Sequence, residues 1–383
     1  VYVHVRANDA GSAQRRLRDA LAGRGLWREA WEQEGRVQAV VGDLSKPHLG
    51  LNDEDWAHLA KEVDVIVHNG ALVHWVYPYS KLRAANVLST MAVMRLANEG
   101  RPKSVAFVSS TSALDTEYYI RFSDTSAQGV LESDPLNGSA SDLKSGYGQS
   151  KWVAERLLMA AASRGLAAVI IRPGYVVGDS KTAVTNTDDF LFRLIKGSAQ
   201  LGLIPDMNNT INMVPVDHVA RVTSLAGLAA TQWPENRQTH AAVFHVTSHP
   251  TIRYNEFLGA LIEYGWNVRP AEYLEWRTAL ENHVLASAAA GNTGLDADSN
   301  ALFPLLHFVL DDLPTSTKSP ELNDANTTKL LTEAHELDVV RGVDVPLVGL
   351  YLSWLVAVGF LPPPASKSAR ALPTLPEGVA RQA

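Results

Sequence analysis

A chain of 383 residues that is 46% hydrophobic can bury a large core, in two domains or one elaborated one. Its formal net charge of -7 gives no basic field for wrapping nucleic acid or docking on anionic lipid, and no run of about twenty apolar residues is present to span a bilayer. The absence of cysteine excludes disulfides, thiolate metal sites and cysteine nucleophiles. The first residues read as a strand and not as a signal peptide, so the expected compartment is the cytoplasm.

Val1 to Val5 is a β-branched, apolar strand with Arg6 at its carboxyl end. Residues 12 to 24 carry helix formers with Leu17, Ala20 and Leu21 at helical spacing, and Val37 to Val41 form a second strand ending in Gly42-Asp43-Leu44. A helix over Asp53 to Ala60 leads to a third strand, Val63 to Val67, which breaks into His68-Asn69-Gly70-Ala71. A helix from about Lys81 to Ala97 precedes the fourth strand, Ser104 to Val108. Another, begun near Gly148, precedes the fifth, Ala168 to Ile171, closed by Arg172-Pro173-Gly174. Short apolar strands alternating with amphipathic helices predict an α/β fold, a doubly wound parallel sheet covered on both faces. Ligands of such sheets bind beyond the carboxyl ends of the strands. Arg6, Asp43, Asn69 to Ala71, Ser109 to Thr111 and Pro173-Gly174 converge there.

Past Gly178 the pattern changes. A polar stretch, Asp179 to Thr187, precedes a helix over Asp188 to Leu201, and Asn212 to His218 leads into a helix over Val216 to Ala230. Val243 to Thr247 reads as a last strand returning to the sheet. Further helices are expected over Tyr254 to Tyr264, Tyr273 to His283, Ala301 to Leu310 and Pro346 to Val358. The expected division is a sheet domain over 1–178 with 210–248 returning to it, a smaller, mainly helical domain over 179–209 and 249–364, and a proline-rich tail over 365–383.

Tyr147 and Lys151, at the start of a helical pattern, lie one turn apart on one face. An ammonium held there would stabilise the phenolate, lower the tyrosine pKa and make it a usable proton donor. Tyr and Lys also recur at this spacing on solvated helix faces, so the pair carries weight only together with Ser109-Ser110-Thr111 and the converging strand ends. The twelve histidines show no paired spacing with carboxylates, so no metal is expected, and His68 and His74 read as structural.

The set Asp43-Leu44, Asn69-Gly70-Ala71, Asn86 to Thr90, Ser109-Ser110-Thr111, Tyr147-x-x-x-Lys151 and Arg172-Pro173-Gly174 resembles the extended short-chain dehydrogenase/reductase family. Within that family it is similar to the terminal thioester reductase domains of carrier-protein enzymes. Gly70 to Tyr79, Gly178-Asp179-Ser180, Thr185 to Phe190 and Phe303 to Phe308 resemble the reductase domains of fungal aminoadipate reductases. The resemblance runs from Val1 to about Pro364. It implies a Rossmann-type sheet, NADPH as reductant, and an acyl thioester delivered on phosphopantetheine by an acyl carrier (peptidyl carrier) domain, in one polypeptide with an adenylation domain. The implied reaction takes 2-aminoadipoyl thioester to 2-aminoadipate 6-semialdehyde in lysine biosynthesis.

The resemblance also implies roles. Thr111, Tyr147 and Lys151 are the expected catalytic residues. Arg6 and Arg16 meet the adenosine 2'-phosphate, Asp43 and Leu44 border the adenine, and Asn69, Gly70 and Ala71 allow close approach of the cofactor. Asn86, Ser109, Pro173, Gly174 and Val176 complete its site. Tyr175, Asn186, Asp188, Asn212 and Met213 are substrate candidates, each equally readable as a helix cap, a turn or a core residue.

The family's G-x-x-G-x-x-G turn does not occur in this sequence, and Gly23-x-Gly25 lacks both its preceding strand and its third glycine. The expectation is that the natural polypeptide continues upstream; a closed sheet with Val1 to Val5 at its centre would contradict it. Two other readings stay open. One is a nucleotide-sugar epimerase or dehydratase, which would share Thr111, Tyr147 and Lys151 without net consumption of cofactor. The other is a non-catalytic binding module on the same fold.

Overall fold

The structure, a computed structural model, describes residues 1–379 apart from 75, 233–239, 290–299, 307–308, 310–312, 314–317, 337 and 367–369. In chain order the first half runs β1 (Tyr2–Val5), α1 (Ala10–Ala22), α2 (Glu29–Gln33), β2 (Gln38–Val41), α3 (Asp53–Glu62), β3 (Val65–His68), α4 (Tyr79–Arg83) and α5 (Ser89–Asn98). It continues through β4 (Ser104–Val108), α6 (Glu117–Thr125), α7 (Gly146–Ala162) and β5 (Ala168–Pro173). The second half runs β6 (Tyr175–Val177), α8 (Phe190–Leu201), β7 (Leu203–Pro205), β8 (Thr210–Ile211), β9 (Met213–Pro215), α9 (Val216–Ala230), β10 (Ala242–Val246) and β11 (Ile252–Arg253). α10 (Tyr254–Glu263), β12 (Arg269–Ala271), α11 (Tyr273–Ala289), α12 (Ala325–Glu333) and α13 (Val345–Ala357) follow. No helix among the described residues is long and apolar enough to cross a membrane.

The chain divides into two compact units. The first comprises Val1–Gly174, His218–Thr247 and Pro320–Val339. Its strands are all parallel: β1 pairs with β2, and β10, β5, β4 and β3 follow one another in a four-stranded sheet. β4 and β5 are buried along their whole length, as the continuous apolar runs Ser104–Val108 and Ala168–Ile171 require of strands covered on both faces. Val40, Trp56, Leu96, Phe107, Leu158 and Ile170 share one core between strands and helices. β1 and β3 are not paired with each other, so Tyr2–Val5 is not the centre of a closed sheet.

Residues 320–339, expected in the smaller domain, belong to this first unit. Asn326 Nδ2 donates to the Val243 carbonyl at 2.9 Å, and its backbone N–H to Glu132 Oε2 at 2.6 Å. The Glu132 bond satisfies one of the free N–H groups in the first turn of α12.

The second unit comprises Tyr175–Asp217, Ser248–Ser319 and Val340–Ala383. Phe190, Phe192, Phe257, Trp276, Tyr351 and Trp354 fill its core. Residues 210–217, expected to return to the sheet, stay here, because β8 pairs with β11 and β9 with β6. The proline-rich end is not a free tail either. Leu372 and Leu375 pack on this core, and Ser353 Oγ donates to the Pro373 carbonyl at 2.7 Å. Of the helix expected over Ala301 to Leu310, a 3-10 turn forms at Phe303–Leu305, while residues 307, 308 and 310 lie outside the described residues.

Candidate active site

The site is organised by the first turn of α7. Ser145 caps it, its hydroxyl accepting from the Gly148 N–H at 3.0 Å. The glycines flanking Tyr147 are required by close approach: a Cβ on Gly146 would stand 2.3 Å from the Tyr77 carbonyl oxygen, and one on Gly148 2.6 Å from that of Ser112. Tyr147 is thereby clamped between the loop that follows β3 and the 3-10 helix Thr111–Leu114 that follows β4.

At the end of β4 successive side chains diverge. The Ser109 hydroxyl turns inward and donates to Glu155 on α7. Ser110 caps the 3-10 helix that follows, its hydroxyl donating to Ser112 Oγ at 3.0 Å and accepting from the Ser112 N–H at 3.1 Å, and it lies close enough to Tyr147 to lower that hydroxyl's pKa. Thr111, the expected third member of the catalytic set, opens the 3-10 helix directly after Ser110. Lys151 Nζ donates to the Val108 carbonyl at 2.7 Å and lies 4.8 Å from the Phe107 ring centroid and 5.7 Å from that of Tyr147.

The electrostatics correct the sequence expectation. Burial pushes the Tyr147 hydroxyl up to about 12, only partly offset by the neighbouring Ser110 hydroxyl. Burial also lowers Lys151 to about 8, opposed by the Glu155 carboxylate. The ammonium points at a backbone carbonyl, and the cost of desolvating a phenolate outweighs its help. Tyr147 is a protonated donor throughout the neutral range.

Asn86 sits in a π-helical turn, Ala84–Leu88, and is fully engaged: Oδ1 accepts from the Leu72 N–H at 2.7 Å, and Nδ2 donates to the Leu72 carbonyl and Ser150 Oγ, both at 3.0 Å. It ties the Asn69-Gly70-Ala71 loop to the turn of α7 that carries Lys151. Gly70 packs on Leu44, whose nearest methyl would stand 2.7 Å from a Cβ there and would have to shift. His68, at the end of β3, lies 3.1 Å from Thr90 Oγ1 and 3.2 Å from Ser89 Oγ; burial and nearby Lys151 hold it near 3, hence neutral.

A separate part of the same rim is basic. Arg6, Asn8, Ser12, Arg16, Asp43 and Lys46 surround a cleft of about 680 Å³ at the carboxyl ends of β1 and β2. Arg16 Nη1 donates to the Arg6 carbonyl at 2.7 Å, and the Ser45 hydroxyl and N–H hold the Asp43 carboxyl below its ordinary range. Three cations and one carboxylate thus line it. Lys46 was not anticipated; it is a lone lysine in a loop that has no strand or helix period.

Pro173 closes β5 opposite Val246, and the Gly174 N–H donates to the Val246 carbonyl at 3.1 Å. Val176 and the five substrate candidates lie in the second unit. Tyr175 donates its N–H to the Asn212 carbonyl at 2.8 Å, and Asn212 Oδ1 accepts from the Ser248 N–H at 2.7 Å. Asn186 forms a turn through the Asp188 N–H at 3.1 Å, and Asp188 is paired with Arg193. Met213 is wholly buried, so its role is in the core.

The NAD-binding family described as "Male sterility protein" matches residues 1–223. The chain is 48% identical over 369 residues to L-2-aminoadipate reductase of Schizosaccharomyces pombe, covering 94% of the chain and 25% of that protein. It is 49% identical over 384 residues to the Saccharomyces cerevisiae L-2-aminoadipate reductase, covering 98% and 26%. The chain thus spans about a quarter of the length of these relatives. The terminal R domain of the myxalamid PKS-NRPS pathway superposes with a TM-score of 0.78 at 33% identity, over 95% of this chain and 85% of that one. The chain belongs to this NAD-binding family, and within it to the thioester reductase domains of the extended short-chain dehydrogenase/reductase fold.

Proposed function

We propose that this chain reduces an acyl thioester, carried on the phosphopantetheine arm of a carrier domain, to a free aldehyde with NADPH, and that the acyl group is 2-aminoadipoyl. The carrying observation is Tyr147 one helical turn from Lys151, whose Nζ lies 5.7 Å from its ring centroid, at the carboxyl ends of parallel strands and beside Ser110. The acyl group is supported by the near-half identity to the two aminoadipate reductases, and a carrier and adenylation domain in the same polypeptide by their greater length. NADPH over NADH is supported by Arg6, Arg16 and Lys46 around one cleft.

A bound dihydronicotinamide supplies the hydride. Charge then grows on the carbonyl oxygen, where the Tyr147 O–H delivers its proton and the Ser110 hydroxyl supports the resulting phenolate; terms of each kind contribute roughly a hundredfold or more in rate. Lys151, as ammonium, opposes the phenolate charge. The neutral hemithioacetal then collapses, with loss of the carrier thiol, to the aldehyde. The test is incubation with an aminoadipoyl-loaded carrier and NADPH: aldehyde formed in proportion to NADPH oxidised supports this reading. Turnover of a nucleotide sugar with no net oxidation would favour the epimerase reading instead.

A further inference from the structure

Behind the proton-donating pair lies a buried polar chain that the chemistry above does not use. The Glu155 carboxylate accepts from the Ser109 hydroxyl on one side and, on the other, from Arg172 Nε at 2.9 Å and Nη2 at 2.7 Å. Both members of this ion pair are fully buried. Arg172 Nη1 stands 3.0 Å from His245 Nε2, and the opposite ring nitrogen of His245 stands 2.7 Å from the Asn323 carbonyl, so that ring nitrogen is the donor. Burial and Arg172 keep His245 near 3 and therefore neutral. Replacing such a buried pair by apolar groups is often neutral or stabilising, so stability alone gives weak reason for it.

Its placement gives a better one. Glu155 stands one turn beyond Lys151 and two beyond Tyr147 on α7, the face that meets the end of β4. The backbone it grips through Ser109 is bounded by Val108, whose carbonyl receives Lys151, and Ser110, which lies beside Tyr147. We propose that Glu155 is a positioning residue: clamped by Arg172, it fixes the end of β4 against α7 and so sets the distance of Ser110 from Tyr147 and the seat of the Lys151 ammonium. The role is stated for the reduction proposed above and rests on that reading. The titratable groups facing Lys151 are Glu155 from its own helix and the neutral His68 from β3. Those facing Glu155 are Lys151 and Arg172, behind which stand His245 and the Glu132 carboxyl group that accepts the His245 backbone N–H at 2.8 Å. Glu155 is thus the anion that keeps Lys151 from falling further.

Three variants test this, read by the pH dependence of single-turnover NADPH oxidation and by NMR titration of the Lys151 ε-carbon. Glu155→Gln is expected to slow the single turnover between about tenfold and a hundredfold, as a small misplacement does, and to move the Lys151 titration acidward from about 8. Ser109→Ala, which keeps the ion pair, is expected to slow the turnover while leaving the titration in place. Glu155→Leu with Arg172→Leu leaves no uncompensated buried charge, and is expected to fold yet repeat the acidward shift. A folded Glu155→Gln or double variant whose rate and titration superpose on the parent overturns the proposal. If both fail to fold, an unchanged Ser109→Ala turnover does so. A parent chain that oxidises no NADPH refutes the proposed function, and the Lys151 titration then still decides the role of Glu155.

Discussion

Ser110 stands beside Tyr147, one just past the end of a parallel strand and the other on the first turn of the helix that packs beside it. That nearness makes Ser110 the hydroxyl to test against Thr111. Ser110→Ala is expected to slow thioester reduction by about a hundredfold, the usual effect of losing one oriented donor, whereas Thr111→Val is expected to cost less than tenfold. Single-turnover rates of the two variants check the order, and the reverse order would return the role to Thr111.

The glycines around Tyr147 make a second prediction. A methyl on Gly146 would meet the Tyr77 carbonyl at 2.3 Å, and backbone cannot retreat as a side chain can. Gly146→Ala is expected to destabilise the fold by about 1–3 kcal/mol and to lower the turnover more than the affinity for nicotinamide cofactor. Denaturant unfolding and cofactor titration measure the two effects separately.

Cofactor preference follows from the basic cleft. Arg6→Ala and Lys46→Ala are each expected to weaken NADPH relative to NADH by about tenfold, or 1.4 kcal/mol. Fluorescence titrations with both cofactors, at low and high salt, report this; equal losses for the two would remove the cleft from 2'-phosphate recognition.

Stability should depend on pH through Glu132. Burial pushes its carboxyl up to about 7 from an ordinary 4.5, so the folded protein holds a proton that the unfolded chain releases. Its contribution is full below 4.5 and is lost as pH rises through 7. His68 and His245, held near 3, act in the opposite sense: their contribution is present above 6.5 and lost as pH falls. Thermal midpoints of the parent should therefore fall relative to those of Glu132→Gln between pH 5 and 8. Parallel curves would contradict this.

Much of the sheet was legible because its strands are buried on both faces. Ser104–Val108 and Val216–Ala230 form as read, and most other boundaries move by a residue or two. Strand ends also placed Tyr147, Lys151, Asn86 and the Asn69-Gly70-Ala71 loop on one rim. Which of Ser110 and Thr111 serves Tyr147 is not legible in the sequence, since it depends on how the chain turns after its last paired residue. Glu155 and Arg172 were equally hidden, because a charged residue on an amphipathic helix and one at a strand end both read as solvated. The lowered tyrosine pKa failed for a related reason: spacing shows that a lysine is near, but not that both groups are out of water. The domain seams were missed where two-residue strands, such as Thr210–Ile211, carry the pairing.

Lys151 should impose a limb on the rate. As an ammonium held near 8 by burial, it loses its proton as pH rises, so reduction is expected to decline above pH 8 while Tyr147 remains protonated. A flat profile from pH 7 to 10 would show that the charge on Lys151 is not used.

The central claim is tested most directly by stopped-flow NADPH oxidation with an aminoadipoyl-loaded carrier, comparing the parent chain with Tyr147→Phe and trapping the product. The account predicts one aldehyde for each NADPH consumed by the parent, and no aldehyde from Tyr147→Phe although it binds NADPH as tightly. Aldehyde formation by Tyr147→Phe at the parent's rate would contradict it.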